Sequence, residues 1–265
     1  MLHVGESIFN YKFPTQCTYS DSSVLQFIPE INKVDLAKLN IKSRATDKSI
    51  KFEDGGVYIL KNSKFSLLIS CFPLGQNGKG GHNNLDVGSF TLSIDGNPVI
   101  VDPGTLTYTR DKSLRDKFRE YTYHNTIFNG EDVKLNINDN DYWILKNYYN
   151  CKDLIFGNKS IQIKINFVND SKIRTRHFLL EENNVIIEDQ LEGVFYSRIN
   201  LNPSINILKQ SKTSIQTNYF DLYFNSDCQY EIKEYDYSPH YGLSTKSDYI
   251  QIKAFDKLNI KVKTK

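Results

Sequence analysis

Residues 89–102 read SFTLSIDGNPVIVD. Side chains on an extended strand alternate faces with a period of two, so Phe90, Leu92 and Ile94 fall on one side. Asp95-Gly96 interrupts the alternation, and Val99 and Val101 resume it. An Asp-Gly pair between two alternating apolar runs predicts a tight hairpin, because both residues tolerate the positive φ that such a turn needs. The same period recurs on both sides of this hairpin. FSLLISCF (65–72) puts Phe65, Leu67, Ile69 and Cys71 on one face, and SIQIKINFV (160–168) does so with Ile161, Ile163, Ile165 and Phe167. NNVIIEDQL (183–191), DLYFN (221–225), DYIQIKAF (248–255) and LNIKVK (258–263) continue the series, separated by clusters of Asn, Asp, Gly and Ser. Many short strands at this spacing predict an all-β domain, an antiparallel sandwich or barrel.

Helical patterning is confined to two stretches. One is NKVDLAKLNIKS (32–43). The other is DKSLRDKFREY (111–121), where Asp111 or Ser113 can cap the N-terminus and Leu114, Phe118 and Tyr121 are spaced for one face. Residues 1–45 are less regular and read as a connecting segment or the remnant of a preceding domain. Residues 46–265 read as one continuous β domain, without internal repeat or low-complexity linker.

The totals limit the function classes. The chain has 265 residues, enough for one large β domain. Its 33 Lys and Arg against 31 Asp and Glu give no basic excess of the kind that nucleic acid or an anionic membrane demands. No apolar run approaches the ~18 residues of a membrane-spanning helix. The opening MLHVGESIFNYKF lacks a basic region followed by an apolar run, so no secretion signal is expected, and the chain reads as an internal protein or a piece of a longer one. Cys17, Cys71, Cys151 and Cys228 lie far apart and form no C-x-x-C pair, which argues against a zinc ribbon or a thioredoxin-like motif. Cys71, inside an apolar run, is expected to be a buried small hydrophobe.

Three segments bring chemistry-bearing residues to strand ends. The first is GGHNNLD (80–86), which offers His82, Asn83, Asn84 and Asp86 after a glycine bend. The second is VIVDPGTLTYTR (99–110), where a strand ends at Asp102 and Pro103-Gly104 turns the chain. The third is REYTYHNTIFNG (119–130), with His124 and Asn125 before a strand-like TIF. The hairpin at Asp95-Gly96 returns Asp102 toward the His82 end, and the helix at 111–121 leads back to His124. Each residue also has a plainer reading. Asp102 before Pro-Gly can bond backbone N–H groups of its own turn. A lone histidine is more often structural than catalytic. The charged run Arg110 to Glu120 reads as a solvated helix face.

The stretch from Gly78 to Gly130, GKGGHNNLDVGSFTLSIDGNPVIVDPGTLTYTRDKSLRDKFREYTYHNTIFNG, resembles the central signature of the heparinase II/III-like family of polysaccharide lyases. The family pattern runs G-G-H-x-H-x-D-x-x-S-F, then G-x-P-x-x-V-D-P-G-T-x-x-Y, then R-x-x-F-R-S-x-x-x-H-N-T. YSPHYGLSTKSDYI (237–250) resembles a late strand segment of the same family. About fifty residues agree in block order, which is far more specific than any one motif.

The resemblance implies a large antiparallel β-sandwich with one or two short helices, the partner of an α/α toroid that precedes it in the family. It implies β-elimination on uronate-containing acidic polysaccharide, glycosaminoglycan among them. By position, His82 matches a catalytic histidine. Asp102 and His124 match ligands of a structural zinc, and Asn84 stands where the family has the second histidine of H-x-H. Asn83 and Arg119 are the candidate substrate-binding residues, the latter through a bidentate contact to acid groups or, as the alternative, held in a structural salt bridge. The family's catalytic tyrosine and carboxylate-binding asparagine lie in the toroid and match nothing here. The chain alone is therefore expected to be inactive until a toroid is supplied in cis or in trans. The alternative is a non-catalytic carbohydrate-binding or structural module. Neither nucleic acid nor a membrane is expected as partner. Family members are often periplasmic or secreted.

Overall fold

The computed structural model describes residues 48–75, 80–130, 149–168 and 170–265. The expected connecting segment 1–45 and the helix expected at 32–43 lie outside them. The described chain is an antiparallel β-sandwich. One sheet is a five-stranded meander of β1 (Ile50–Phe52), β2 (Val57–Lys61), β3 (Phe65–Ser70), β4 (Phe90–Ile94) and β5 (Asn97–Ile100), adjacent in chain order. The other contains β6 (Ile127–Phe128), β7 (Tyr149–Phe156), β8 (Ser160–Phe167), β9 (Ile173–Leu180), β10 (Asn184–Asn200), β11 (Ile207–Ser211), β12 (Ser214–Thr217), β13 (Phe220–Phe224), β14 (Gln229–His240) and β15 (Leu243–Thr264). Its order is β11-β12-β13-β15-β10-β9-β8-β7, with β14 added to β15 and β6 to β10.

The alternating runs pack face to face. Phe65, Leu67, Ile69, Phe90 and Leu92 of the first sheet meet Ile161, Ile163, Ile165, Phe178, Val185 and Ile187 of the second in one core. Burying each such side chain contributes about 1.5–3 kcal/mol. Strand propensity spans only about 1 kcal/mol, so the apolar face, rather than backbone preference, sets which side turns inward. The β4–β5 turn has Asp95 at φ 49° and Gly96 at φ 79°, as the Asp-Gly pair predicts. Cys71 is buried and unpaired, also as expected.

Two strands differ from the sequence expectation. The runs at 248–255 and 258–263 read as separate strands, but both belong to the 22-residue β15. The run at 183–191 continues through Glu192-Gly193 to Asn200 as β10. These break signals lie opposite one another: Leu191 pairs Asp256, Val194 pairs Phe255, and the register shifts between them. Gly193 takes φ 84°, Asp256 takes φ 57°, and the Gly193 N–H donates to Asp256 Oδ1 at 2.6 Å. Turn-forming residues thus make a bulge instead of ending the strands.

β9, IRTRHFLL, carries no apolar alternation in its first half. Its inward face is Arg174, Arg176, Phe178 and Leu180, and Ile173 is left exposed. Arg176 is fully buried against Asp189 of β10, with Nε donating to Oδ1 at 2.8 Å and Nη2 to Oδ2 at 3.1 Å. Its Nη1 donates to the carbonyls of Gly88 (2.7 Å) and Asn125 (2.6 Å). Ser197 Oγ donates to Asp189 Oδ2 at 2.9 Å. One buried cation therefore ties the second sheet to the main chain beside two of the three segments of interest.

The expected helix is α1 (Lys112–Arg119), followed by a 3-10 turn at Tyr121–Tyr123. Asp111 is its N-cap, accepting from the Leu114 N–H at 2.9 Å. Phe118 and Tyr121 are buried as expected, but the charged run is a solvated face only in part. Arg115 and Arg119 are buried as well. Arg115 pairs with Asp116 at 2.7 Å.

Candidate active site

The loop carrying His82 is held from below by Arg119. Its Nε donates to the Asn83 carbonyl at 3.0 Å, and its Nη2 to the Gly80 and Gly81 carbonyls at 3.0 and 3.5 Å. The Arg119 carbonyl in turn accepts from the Leu85 N–H at 3.0 Å. Four bonds between one residue and the backbone at 80, 81, 83 and 85 leave the loop little freedom. Burial lowers the Arg119 guanidinium to about 10, still charged at neutral pH. His82 itself is exposed. Its ring meets Tyr108 edge-on, with centroids 5.9 Å apart. Arg119, expected to reach substrate, therefore holds the His82 loop.

Beneath this loop lie Asp102 and His124. His124 Nδ1 is 2.7 Å from Asp102 Oδ2, and the ring is fully buried. Asp102 Oδ1 accepts the Gly104 N–H at 2.9 Å, so the carboxylate caps its own turn and holds the imidazole at once. Asn125 staples the segments together. Its Nδ2 donates to the carbonyls of Phe90 (2.8 Å) and Val101 (2.9 Å), and its Oδ1 accepts the Asn200 N–H at 2.7 Å.

Asp86 belongs to this group, although the sequence pattern alone gave it no role. Ser70 Oγ donates to its Oδ2 at 2.9 Å. Burial raises its carboxyl to about 6, opposed by the attraction of His124 and reinforced by the repulsion of Asp102. Burial alone would push the His124 imidazolium down, but Asp102 and Asp86 outweigh it, and the net shift is upward. Both groups hold a proton more tightly folded than unfolded. Stability from Asp86 is therefore lost as pH rises from about 4 to about 6. That from His124 is present below about 6.5 and lost as pH rises through its raised value. Asp86→Asn keeps an acceptor for Ser70 while removing the charge. It is expected to flatten the fall in thermal midpoint between pH 4 and 6 and to lower the His124 titration in NMR. An unchanged His124 titration would show that Asp86 is not its electrostatic partner.

Of the expected zinc ligands, Asp102 and His124 lie against one another. Asp102 faces Nδ1 of His124, and the other ring nitrogen, Nε2, is on the far side of the ring. That nitrogen is buried and has no hydrogen-bond partner among the described residues. At the third position Asn84, half-buried, offers an amide oxygen, a poor zinc ligand beside imidazole. No group of three His, Cys, Asp or Glu suited to a metal occurs among the described residues.

The described fold brings Asp102, His124 and Asp86 together and sets Arg119 under the His82 loop. Asn83 contributes its carbonyl to that clamp, and its half-buried side chain lies close to Gly75. The chain matches the family described as heparinase II/III-like, C-terminal, over residues 44–256. No curated protein matches it. Among solved structures, the heparan sulfate lyase HepC from Pedobacter heparinus superposes with a TM-score of 0.65 at 18% identity, over 91% of this chain and 40% of that one. A structure of heparinase III gives 0.64 at 17% identity, over 83% and 37%. The chain thus spans about 40% of the length of these lyases.

Proposed function

Because the chain belongs to the heparinase II/III-like C-terminal domain family, we propose that it is the sandwich part of a polysaccharide lyase acting by β-elimination on uronate-containing acidic polysaccharide, completed by an α/α toroid in cis or in trans. The observation that carries this reading is the exposed His82 imidazole on a loop clamped by a buried arginine. An exposed side chain held so firmly is arranged to meet something outside the sandwich.

The chemistry sets the remaining demands. The proton on C5 of a uronate is acidic only when its carboxylate charge is neutralised. A base must then take that proton while the C4–O bond breaks, and an acid must protonate the departing oxygen. Imidazole suits proton transfer near neutral pH, and His82 is assigned to it. Asn83, beside it, is assigned to substrate binding. Neutralising the carboxylate and completing the proton relay fall to groups on the toroid. Asp102, His124 and Asp86 touch no reacting atom in this reading. They brace the floor of the loop as a polar cluster without metal, Asp102 bonded to His124 and Asp86 coupled to both by charge. Elemental analysis of the purified chain is expected to find no stoichiometric zinc. Near-stoichiometric zinc that His124→Ala removes would overturn the metal-free assignment.

The test of the whole reading is cleavage. Uronate polysaccharides are incubated with the chain alone and with a toroid domain supplied in the same polypeptide or in trans, and unsaturated ends are followed by ultraviolet absorbance. Product is expected only with the toroid. Saccharide binding without cleavage in either setting would establish the second reading, a non-catalytic carbohydrate-binding module. Asn84 in place of the family's second histidine favours that second reading.

A further inference from the structure

β14 and β15 form a hairpin whose tip is Tyr241-Gly242, with His240 paired to Leu243 and Gly242 at φ 78°. The tip does not stand free. The Ser238 N–H donates to the Pro103 carbonyl and the Gly242 N–H to the Leu106 carbonyl, each at 2.8 Å. Gly104 and Ser238 form a parallel bridge, so close that a Cβ on Gly104 would lie 2.1 Å from the Ser238 carbonyl oxygen. The hairpin is thus laid along the segment that leaves Asp102.

The consequence is an aromatic row. The ring of Tyr241 lies over that of Tyr108, with centroids 5.6 Å apart and planes 25° from parallel. Tyr108 also meets the ring of His82 edge-on. Tyr241 is 59% exposed and Tyr108 39%. Two large rings kept in fixed register and open to water are apolar surface that the fold has not covered.

We propose that Tyr108 and Tyr241 are a stacking platform for a pyranose ring of the polysaccharide, in the subsite next to His82; this rests on the polysaccharide reading above. A pyranose presents C–H groups on its faces and hydroxyls at its rim. A tyrosine presents an apolar ring face with a hydroxyl at its edge. Stacking the two covers apolar surface on both while the hydroxyls stay hydrated or bonded. A protein partner fits less well. It needs about 800 Å² on each side, far more than two rings and an imidazole provide.

Affinity electrophoresis tests the proposal, in native gels cast blank or with heparan sulfate, chondroitin sulfate or alginate. The proteins are the wild type, Tyr241→Ala, Tyr241→Phe and Phe255→Ala. Phe255 is an exposed aromatic about 40 Å further along β15, at about 3.4 Å per residue. Tyr241 is at an exposed tip, and circular dichroism melts will check that each variant is folded. The wild type is expected to be retarded by at least one polysaccharide. Tyr241→Ala should weaken that retardation roughly 3- to 10-fold, while Tyr241→Phe and Phe255→Ala retain it. Equal retardation of the wild type and Tyr241→Ala would overturn the platform and leave the polysaccharide reading standing. Lack of retardation of the wild type in every gel would also overturn the platform, while the polysaccharide reading falls only if the cleavage assay with the toroid gives no product.

Discussion

Asp189→Ala is expected to cost the domain about 3–5 kcal/mol, the penalty of leaving a buried cation without its counter-charge. Total stability is typically about 5–15 kcal/mol, so this one change removes a large share. Arg176 and Asp189 are both fully buried, and water cannot replace the lost carboxylate. Arg176→Met is expected to be worse. It strands the Asp189 carboxylate with only the Ser197 hydroxyl, and it also deprives the Gly88 and Asn125 carbonyls of their Nη1 donor. Each carbonyl left unsatisfied adds about 1–3 kcal/mol. The double variant Arg176→Met/Asp189→Leu removes both charges but leaves the carbonyls orphaned, so it should recover only part of the loss. Glu53→Ala breaks the exposed Lys51–Glu53 pair and should cost under about 1 kcal/mol. Urea unfolding of the four variants checks the order. Asp189→Ala within about 1 kcal/mol of the wild type would show that the buried pair contributes little to the stability of the domain.

If the lyase reading holds, His82→Ala, made in the sandwich joined to a toroid domain, is expected to lower the elimination rate about 10²- to 10⁴-fold, the usual worth of a positioned proton-transfer group. The melting temperature should hardly move, because His82 is exposed and the loop is held through main-chain carbonyls that the substitution leaves in place. That separates His82 from Arg119. Arg119→Ala should loosen residues 80–85 in amide hydrogen exchange while the exchange of β10 and β15 stays unchanged. A His82→Ala enzyme with the wild-type rate would remove His82 from the chemistry.

Much of the fold was legible because the apolar runs at 65–72, 89–102, 160–168 and 183–191 alternate without ambiguity, and an Asp-Gly pair admits few conformations. The helix and its Asp111 cap were legible for the same local reason. In the site, the order of the three segments made the meeting of Asp102 with His124 readable, since a hairpin and a short helix are the links between them.

What the sequence by itself determined, then, is what depends on neighbours along the chain: strand periodicity, turn chemistry, helix cap and family membership. Only the tertiary structure decided what depends on neighbours across it. Glu192-Gly193 and Asp256-Lys257 look like strand ends, yet paired across β10 and β15 they become a bulge, because each break finds its partner in the other. β9 hides its inward face behind arginines, because burying Arg176 is tolerable only with Asp189 and two carbonyls already in place to receive it. Arg119 has the charge of a substrate ligand. The fold turns it beneath the His82 loop, where three backbone carbonyls take its donors. Tyr241 reaches Tyr108, which in turn meets the His82 ring, from more than a hundred residues away because the β14–β15 hairpin lies along the segment after Asp102. A charge or an aromatic ring is a property of one residue, but whether it is spent inside the fold or offered outside is set by partners that no local pattern contains.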